Sequence, residues 1–346
     1  MMTQDKTPSI QVPQADDRPL WDVIFAIYGY PALLLAHRLK IFPLLAENAR
    51  TLPEICDALS IKQRPAEAIL TTATALGFLS LNEDRYFLTP VTEAYLLETS
   101  PNYFGFFWDM MIDNSQVSSI AGLEKAVLTD SPQAYGGGDI FKSHEEQIEL
   151  LRRFTAGMHS ISITSALVWP TIMDFSGHRV MLDIGGGSGA HSIGAALRLP
   201  NLQQALVLDF SQVCKVAEEY IAQYNLQGRV KTHEGNIWQD HWPTADLHFF
   251  SNMYHDWLSD KCHFLTAKSF DRLESGGRIV IHEMLYNDEK TGPFSSAAFS
   301  MIMMGWTEGK QYSGQELTAM LDKIGFEDIQ IHKAFGYHSI VTGLKP

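Results

Sequence analysis

Leu182-Asp183-Ile184-Gly185-Gly186-Gly187-Ser188-Gly189 follows a run with buried-strand character, Val180-Met181-Leu182, and opens a segment that reads as a helix. Glycine reaches positive φ without steric cost and lets a ligand lie directly against the backbone. In open α/β sheets ligands bind beyond the carboxyl ends of the strands, where this loop falls. The stretch therefore predicts a strand, a ligand-holding loop and a helix about halfway along the chain.

Downstream, Leu206-Val207-Leu208, Arg229 to Thr232, Leu247 to Phe250 and Arg278 to His282 read as further strands with helices between them. That alternation is the pattern of a doubly wound parallel sheet. Asp328 to Ile331 and Ser339 to Thr342 read as a closing pair, so residues 177–346 are expected to form one Rossmann-like α/β domain. Upstream the chain is mainly helical. Trp21 to Leu39 is apolar on several faces, and such a helix needs a covering surface, most simply a second copy of the chain. Thr51-Leu52-Pro53-Glu54 is a capping box that opens a helix through Ile55 and Leu59. A second helix runs from Pro65 to Leu76 and stops at Gly77; Phe78 to Leu81 and Tyr86 to Leu88 then form a hairpin around Asn82-Glu83-Asp84. Helix, helix, hairpin is the winged-helix pattern, assigned to residues 19–100. Residues 101–176 read as a helical region in which Tyr103 to Met111 suits either plain core or the wall of an apolar pocket. Tyr135-Gly136-Gly137-Gly138 reads as a loop.

Composition narrows the function. A length of 346 residues suggests two domains, and 45% hydrophobic residues suffice for sizeable cores. A net charge of −14 repels phosphate backbones and anionic lipid, and the second helix of the winged pattern carries only Lys62 and Arg64 at its start. Neither nucleic acid nor membrane is expected as a partner. The three cysteines, Cys56, Cys214 and Cys262, have no paired spacing, which reads as buried thiols in a reducing compartment. Residues 1–18 are polar, read as a flexible tail and lack the apolar core of a signal peptide. No stretch reads as approaching the roughly 18 apolar residues of a membrane span, so the cytoplasm is the expected location.

Two adenosine cofactors fit the glycine loop. Gly185-x-Gly187-x-x-Ala190 matches the dinucleotide fingerprint, and Asp209, at the end of the next strand, is placed for ribose hydroxyls of either cofactor. Asp183, two residues before the first glycine, suits the cationic amino-acid end of S-adenosylmethionine. Asn236 and Ile237, in Glu234-Gly235-Asn236-Ile237, offer a polar edge and an aliphatic face to adenine. These features favour the methyl donor, with Gly186, Phe210 and Ser251 completing the cofactor side.

After the fourth strand comes Ser251-Asn252-Met253-Tyr254-His255-Asp256-Trp257, and Glu283 ends the fifth strand on the same rim. A histidine there faces the ligand crevice, and its ordinary pKa near 6.5 makes it the natural proton acceptor. Taken together, the glycine loop, Asp209, the His255-Asp256-Trp257 triplet, Glu283 and the winged-helix segment resemble the small-molecule O-methyltransferases, the class of the caffeic acid and acetylserotonin enzymes. The resemblance spans residues 20 to 343. It implies an N-terminal dimerisation domain whose helices interlock with a partner, and a C-terminal catalytic domain that uses S-adenosylmethionine and no metal. It further implies His255 as general base flanked by Glu283, and a site-lining helix around Gly157-Met158. Where the plant members carry Asp, Lys and a second catalytic carboxylate, this chain has Asn236, Ser251 and Gln311. Trp108, Met111, Met158, Met303, Met304 and Trp306 are expected to wall an apolar acceptor pocket suited to a phenol; Met301 to Met304 fits helix core equally well. The alternatives are nitrogen or carbon methylation on the same fold, a nicotinamide-dependent oxidoreductase, and a non-catalytic winged-helix regulator.

Overall fold

The computed structural model describes residues 13–137 and 147–346. The first twelve residues of the expected tail, and Gly138 of the expected loop, lie outside the described residues. The chain divides after Ser100 into two compact units.

The first unit comprises α1 (Arg18–Arg38), α2 (Ile41–Glu47), β1 (Arg50–Thr51), α3 (Leu52–Leu59), α4 (Gln63–Ala75), β2 (Leu79–Asn82), β3 (Arg85–Leu88) and α5 (Pro90–Tyr95). The capping box forms: Glu54 N–H donates to the Thr51 hydroxyl, and Thr51 N–H donates to the Glu54 carboxylate at 2.7 Å. Gly77 stops the helical run at φ +81°. The three strands pair in the order β1-β3-β2 over a core that includes Phe42, Ile55, Leu70 and Leu79. Helix α1 buries only Leu33, Ala36 and His37, while Val23, Phe25, Ile27 and Tyr28 are each more than 60% exposed. By length and composition α1 also qualifies as a membrane span, which corrects the expectation that no stretch approaches that size. Asp22, Gly29 and Pro31 interrupt the apolar run in the sequence, but the helix continues through all three.

The second unit contains α6 (Gly105–Asp113), α7 (Ile120–Thr129), α8 (Ile148–Ala166), β4 (Val180–Ile184), α9 (Ala190–Arg198), β5 (Gln204–Asp209), α10 (Ser211–Gln223), β6 (Val230–Glu234), β7 (Leu247–Ser251), α11 (Ser259–Arg272), β8 (Arg278–Met284), α12 (Phe294–Trp306), α13 (Gly314–Ile324), β9 (Glu327–Lys333) and β10 (His338–Leu344). Its seven-stranded sheet has the order β6-β5-β4-β7-β8-β10-β9. The strands from β6 to β8 run parallel, and β10 lies antiparallel between β8 and β9. Side chains alternate between two buried layers. Leu182, Phe250, Ile279 and Ile281 face one way, and Met181, Val207, Phe249 and Val280 face the other. From β4 the chain winds outward in both directions, so the crevice above β4 is the topological switch point at which ligands bind. The described residues of 101–176 belong to this same unit, with α8 packed against α6 and α9.

Candidate active site

A cavity of about 430 Å³ opens at that switch point. Its floor is the glycine loop, where Gly185, Gly187 and Gly189 have φ of +66°, +56° and +74°. A Cβ on Gly186 would lie 2.8 Å from the Asp183 carboxyl carbon and 3.0 Å from Val207, whereas one on Gly187 would meet no protein atom within 4 Å. The first glycine permits close packing, and the second leaves backbone bare for a ligand. The Asp209 carboxylate accepts the Gly187 N–H at 2.9 Å and the Phe210 N–H at 2.8 Å, which ties the tip of β5 to the loop. Asp183 accepts the Ser192 hydroxyl at 2.8 Å and its N–H at 3.2 Å, so it also anchors the first turn of α9. Burial pushes Asp183 up to about 7, against the pull of Ser192's hydrogen bonds, and Asp209 up to about 6. Both are therefore poised to gain from a nearby cation.

Gly185, Gly186, Gly187, Asp183, Asp209, Phe210, Asn236, Ile237 and Ser251 all line this cavity. The Asn236 side-chain carbonyl accepts the Trp238 N–H at 2.9 Å, and the Asn236 N–H donates to Asp240 at 2.7 Å. The residue thus shapes its turn as well as facing the cavity.

The catalytic rim is built by neighbouring strands. Ser251 on β7 is in register with His282 on β8, which brings the turn after β7 beside Glu283. That turn, Tyr254–Asp256, is a single 3₁₀ turn. One Glu283 oxygen accepts the N–H groups of Met253, Tyr254 and His255 at 3.0, 2.9 and 3.4 Å, and the other lies 2.6 Å from His255 Nδ1. A carboxylate there fixes the proton on Nδ1 and presents Nε2 as the acceptor. Burial lowers the imidazole pKa, but the charge and hydrogen bond of Glu283, then the charge of Asp256, outweigh it and hold the ring above its ordinary value. Glu283 itself stands behind the histidine, off the cavity wall.

Asp256 escaped the sequence reading as a site residue. Its carboxyl lines the cavity 3.7 Å from His255 Nε2, and burial pushes it up to about 7 despite the pull of His255. The only signal was its place directly after the base, and a 3₁₀ turn is what brings both side chains to one cavity.

At the acceptor end the wall is apolar: Met111, Met158, Met303 and Trp306 line it, joined by Met110, Phe107, Phe154, Phe299 and Ile302. Two residues expected on that wall are not there, and Gln311, expected among the catalytic residues, does not line the cavity. Phe107, Met110 and Met111 share one stripe of α6, and Trp108 turns from it to pack edge-on against Phe104 at 6.3 Å. On α12 the stripe is Phe299, Ile302, Met303 and Trp306, which leaves Met304 off the face. Gln311 is fully buried, and its N–H reaches the Ser300 hydroxyl at 3.4 Å; its side-chain amide has no hydrogen-bond partner among the described residues. No lysine or arginine lines the cavity among the described residues, and none of the described residues form a group of three or more His, Cys, Asp or Glu placed to hold a metal ion.

Comparison with known proteins matches residues 121–327 to the model of an O-methyltransferase domain. The chain is 32% identical over 329 residues to 3-hydroxy-5-methyl-1-naphthoate 3-O-methyltransferase of Streptomyces sahachiroi, covering 94% of each chain. It is 28% identical to acetylserotonin O-methyltransferase of Gallus gallus over 90% of this chain and 93% of that one. Human N-acetylserotonin methyltransferase, solved in complex with SAM, shares the fold at a TM-score of 0.84, with 23% identity over 97% of this chain and 99% of that one.

Proposed function

This chain belongs to the O-methyltransferase family, and from that premise we propose that it transfers a methyl group from S-adenosylmethionine to a hydroxyl, most suitably phenolic, of a small molecule. One observation carries the proposal: the buried His255, with its Nδ1 taken by Glu283, lines a cavity floored by the glycine loop.

The cavity's charge supports the cofactor. Asp183, Asp209 and Asp256 line it, and among the described residues no lysine or arginine does. That donor set suits a cationic nucleoside and offers no lysine or arginine to a dinucleotide's pyrophosphate. Gly185 to Gly187 and Asp209 would hold the ribose and loop side, Asn236 and Ile237 the adenine, and Asp183 the amino-acid side. S-adenosylmethionine supplies, when bound, a methyl group already activated on a sulfonium.

What remains for the protein is to align the acceptor oxygen, exclude water and take one proton. Met110, Met111, Met158, Met303 and Trp306 present an apolar wall to the acceptor. His255 Nε2 receives the hydroxyl proton, and Glu283 steadies the resulting imidazolium through Nδ1. The Asp256 carboxyl, 3.7 Å from Nε2, adds a second acidic neighbour to the imidazolium. Incubating the chain with methyl-labelled S-adenosylmethionine and a panel of naphthols, hydroxyindoles and simple phenols should yield labelled methyl ethers by mass spectrometry. Label found only on nitrogen or carbon, or no transfer alongside nicotinamide turnover, would refute the proposal.

The exposed apolar face of α1 supports a homodimer formed through the first unit, read as a winged-helix dimerisation domain. A second copy covers Val23, Phe25, Ile27 and Tyr28 without any membrane. The paired change Phe25→Glu and Tyr28→Glu is expected to convert a dimer to monomer in light scattering, because charges buried in an apolar interface cost several kcal/mol (roughly). A wild-type chain that runs as a monomer, or that needs detergent to stay in solution, would overturn this assignment.

A further inference from the structure

The cavity has two ends, fixed by strand order. Asp209 and Asn236 mark the end over β5 and β6, and Ser251 and Asn252 mark the end over β7. At this second end lies a layer of imidazoles that neither base catalysis nor the adenine side uses. The ring of His191, in the first turn of α9, lies 5.0 Å from Phe249 of β7 and 5.0 Å from His282 of β8. His282 stacks on His338 at 4.5 Å with planes 4° apart. His282 Nδ1 is 2.8 Å from the Ser251 hydroxyl, and His338 Nε2 is 3.1 Å from the Asn252 side-chain oxygen. Asn252 itself is held at φ +52°, a left-handed conformation that concentrates at functional sites.

His191 is the outlier of the layer. It lines the cavity, is 5% exposed, and has no hydrogen-bond partner at either ring nitrogen among the described residues; the same holds for His282 Nε2. Burial lowers His191 to about 3 and His338 to about 4, and holds His282 well below its ordinary value, so all three rings are neutral at pH 7. A neutral imidazole carries one N–H donor and one acceptor. Leaving both unmatched in a buried site is costly, and a ring of carbon would pack there without that cost.

The ligand that belongs at this end has a need that matches. An amino-acid carboxylate entering a cavity lined by three aspartates, with no lysine or arginine among the described residues, calls for neutral donors. The Nδ1–H of His255 is committed to Glu283. We infer that His191 is a cofactor-binding residue whose ring N–H receives the carboxylate of the cofactor's amino-acid end, while His282 and His338 position Ser251 and Asn252 as the wall beside it. The inference rests on the proposed use of S-adenosylmethionine.

Calorimetric titration with S-adenosylhomocysteine and with 5′-methylthioadenosine, which lacks the whole amino-acid end, separates contact with that end from a packing role. His191→Phe, which keeps a ring but no nitrogen, is expected to weaken S-adenosylhomocysteine by about tenfold or more while methylthioadenosine binding is unchanged. His191→Asn, which restores a donor, should recover part of the loss. Equal weakening of both ligands, the mark of a packing role, or no weakening of either, overturns the inference and leaves the cofactor reading intact. A wild-type chain that binds neither ligand overturns the cofactor reading and this inference with it.

Discussion

His255→Ala lowers turnover by about 10²- to 10⁴-fold, the usual contribution of a general base, and leaves affinity for S-adenosylhomocysteine unchanged. The separation follows from the architecture. The residues assigned to the cofactor sit at the end of β4 and the loop after it, the first turn of α9, the tip of β5, the turn after β6 and the end of β7, and none of their hydrogen bonds runs through the His255 imidazole. The fold should tolerate the change as well. Glu283 loses its 2.6 Å bond to Nδ1 but keeps three backbone N–H donors, so the buried carboxylate is not stranded. The residual rate reflects alignment of an already activated methyl group with the acceptor oxygen. Single-turnover kinetics beside a calorimetric titration tests both halves. A variant that keeps more than about a tenth of wild-type turnover would remove His255 as the base.

Much of this arrangement was legible in the chain because it rests on constraints that only a few residue types satisfy. Positive φ at Gly185, Gly187 and Gly189 requires glycine, so the loop announced itself. The strands β4, β7 and β8 are buried on both faces and therefore read as apolar runs. The side-chain assignments on α6 and α12 were less legible. Both helices are apolar nearly all round, and without a polar face the sequence gives no phase to separate Met111 from Trp108, or Met303 from Met304. Gln311 was chosen from family correspondence and lies buried off the cavity wall. His191 carried almost no sequence signal: it looks like any residue in a helix that packs on a sheet, and its unmatched nitrogens exist only in three dimensions. Helix α1, by contrast, was legible as one apolar helix over Trp21 to Leu39; only its passing the length and composition of a membrane span went unread.

Glu283→Gln preserves shape and still lowers turnover by about 10³- to 10⁴-fold, because the amide cannot serve both its partners. One Glu283 oxygen gathers three backbone N–H groups and the other receives Nδ1–H, so all four contacts demand an acceptor. A glutamine has one acceptor oxygen and one NH₂. If its oxygen faces the backbone, its NH₂ faces Nδ1, the imidazole proton moves to Nε2, and the lone pair that should meet the acceptor hydroxyl is lost. If the amide turns over, the NH₂ confronts three donors and the turn that carries His255 loosens. The pH profile distinguishes this positioning role from a merely structural one. In the wild type the base is held above its ordinary value of 6.5, so activity rises with pH through that raised value as the ring becomes neutral. Removing the Glu283 charge leaves burial, which pushes the ring down, less opposed; the acid limb of the profile must therefore move to lower pH while the plateau falls. A plateau within about tenfold of wild type on an unmoved limb would mean that the carboxylate only supports the turn, and that the histidine's tautomer is set by something else.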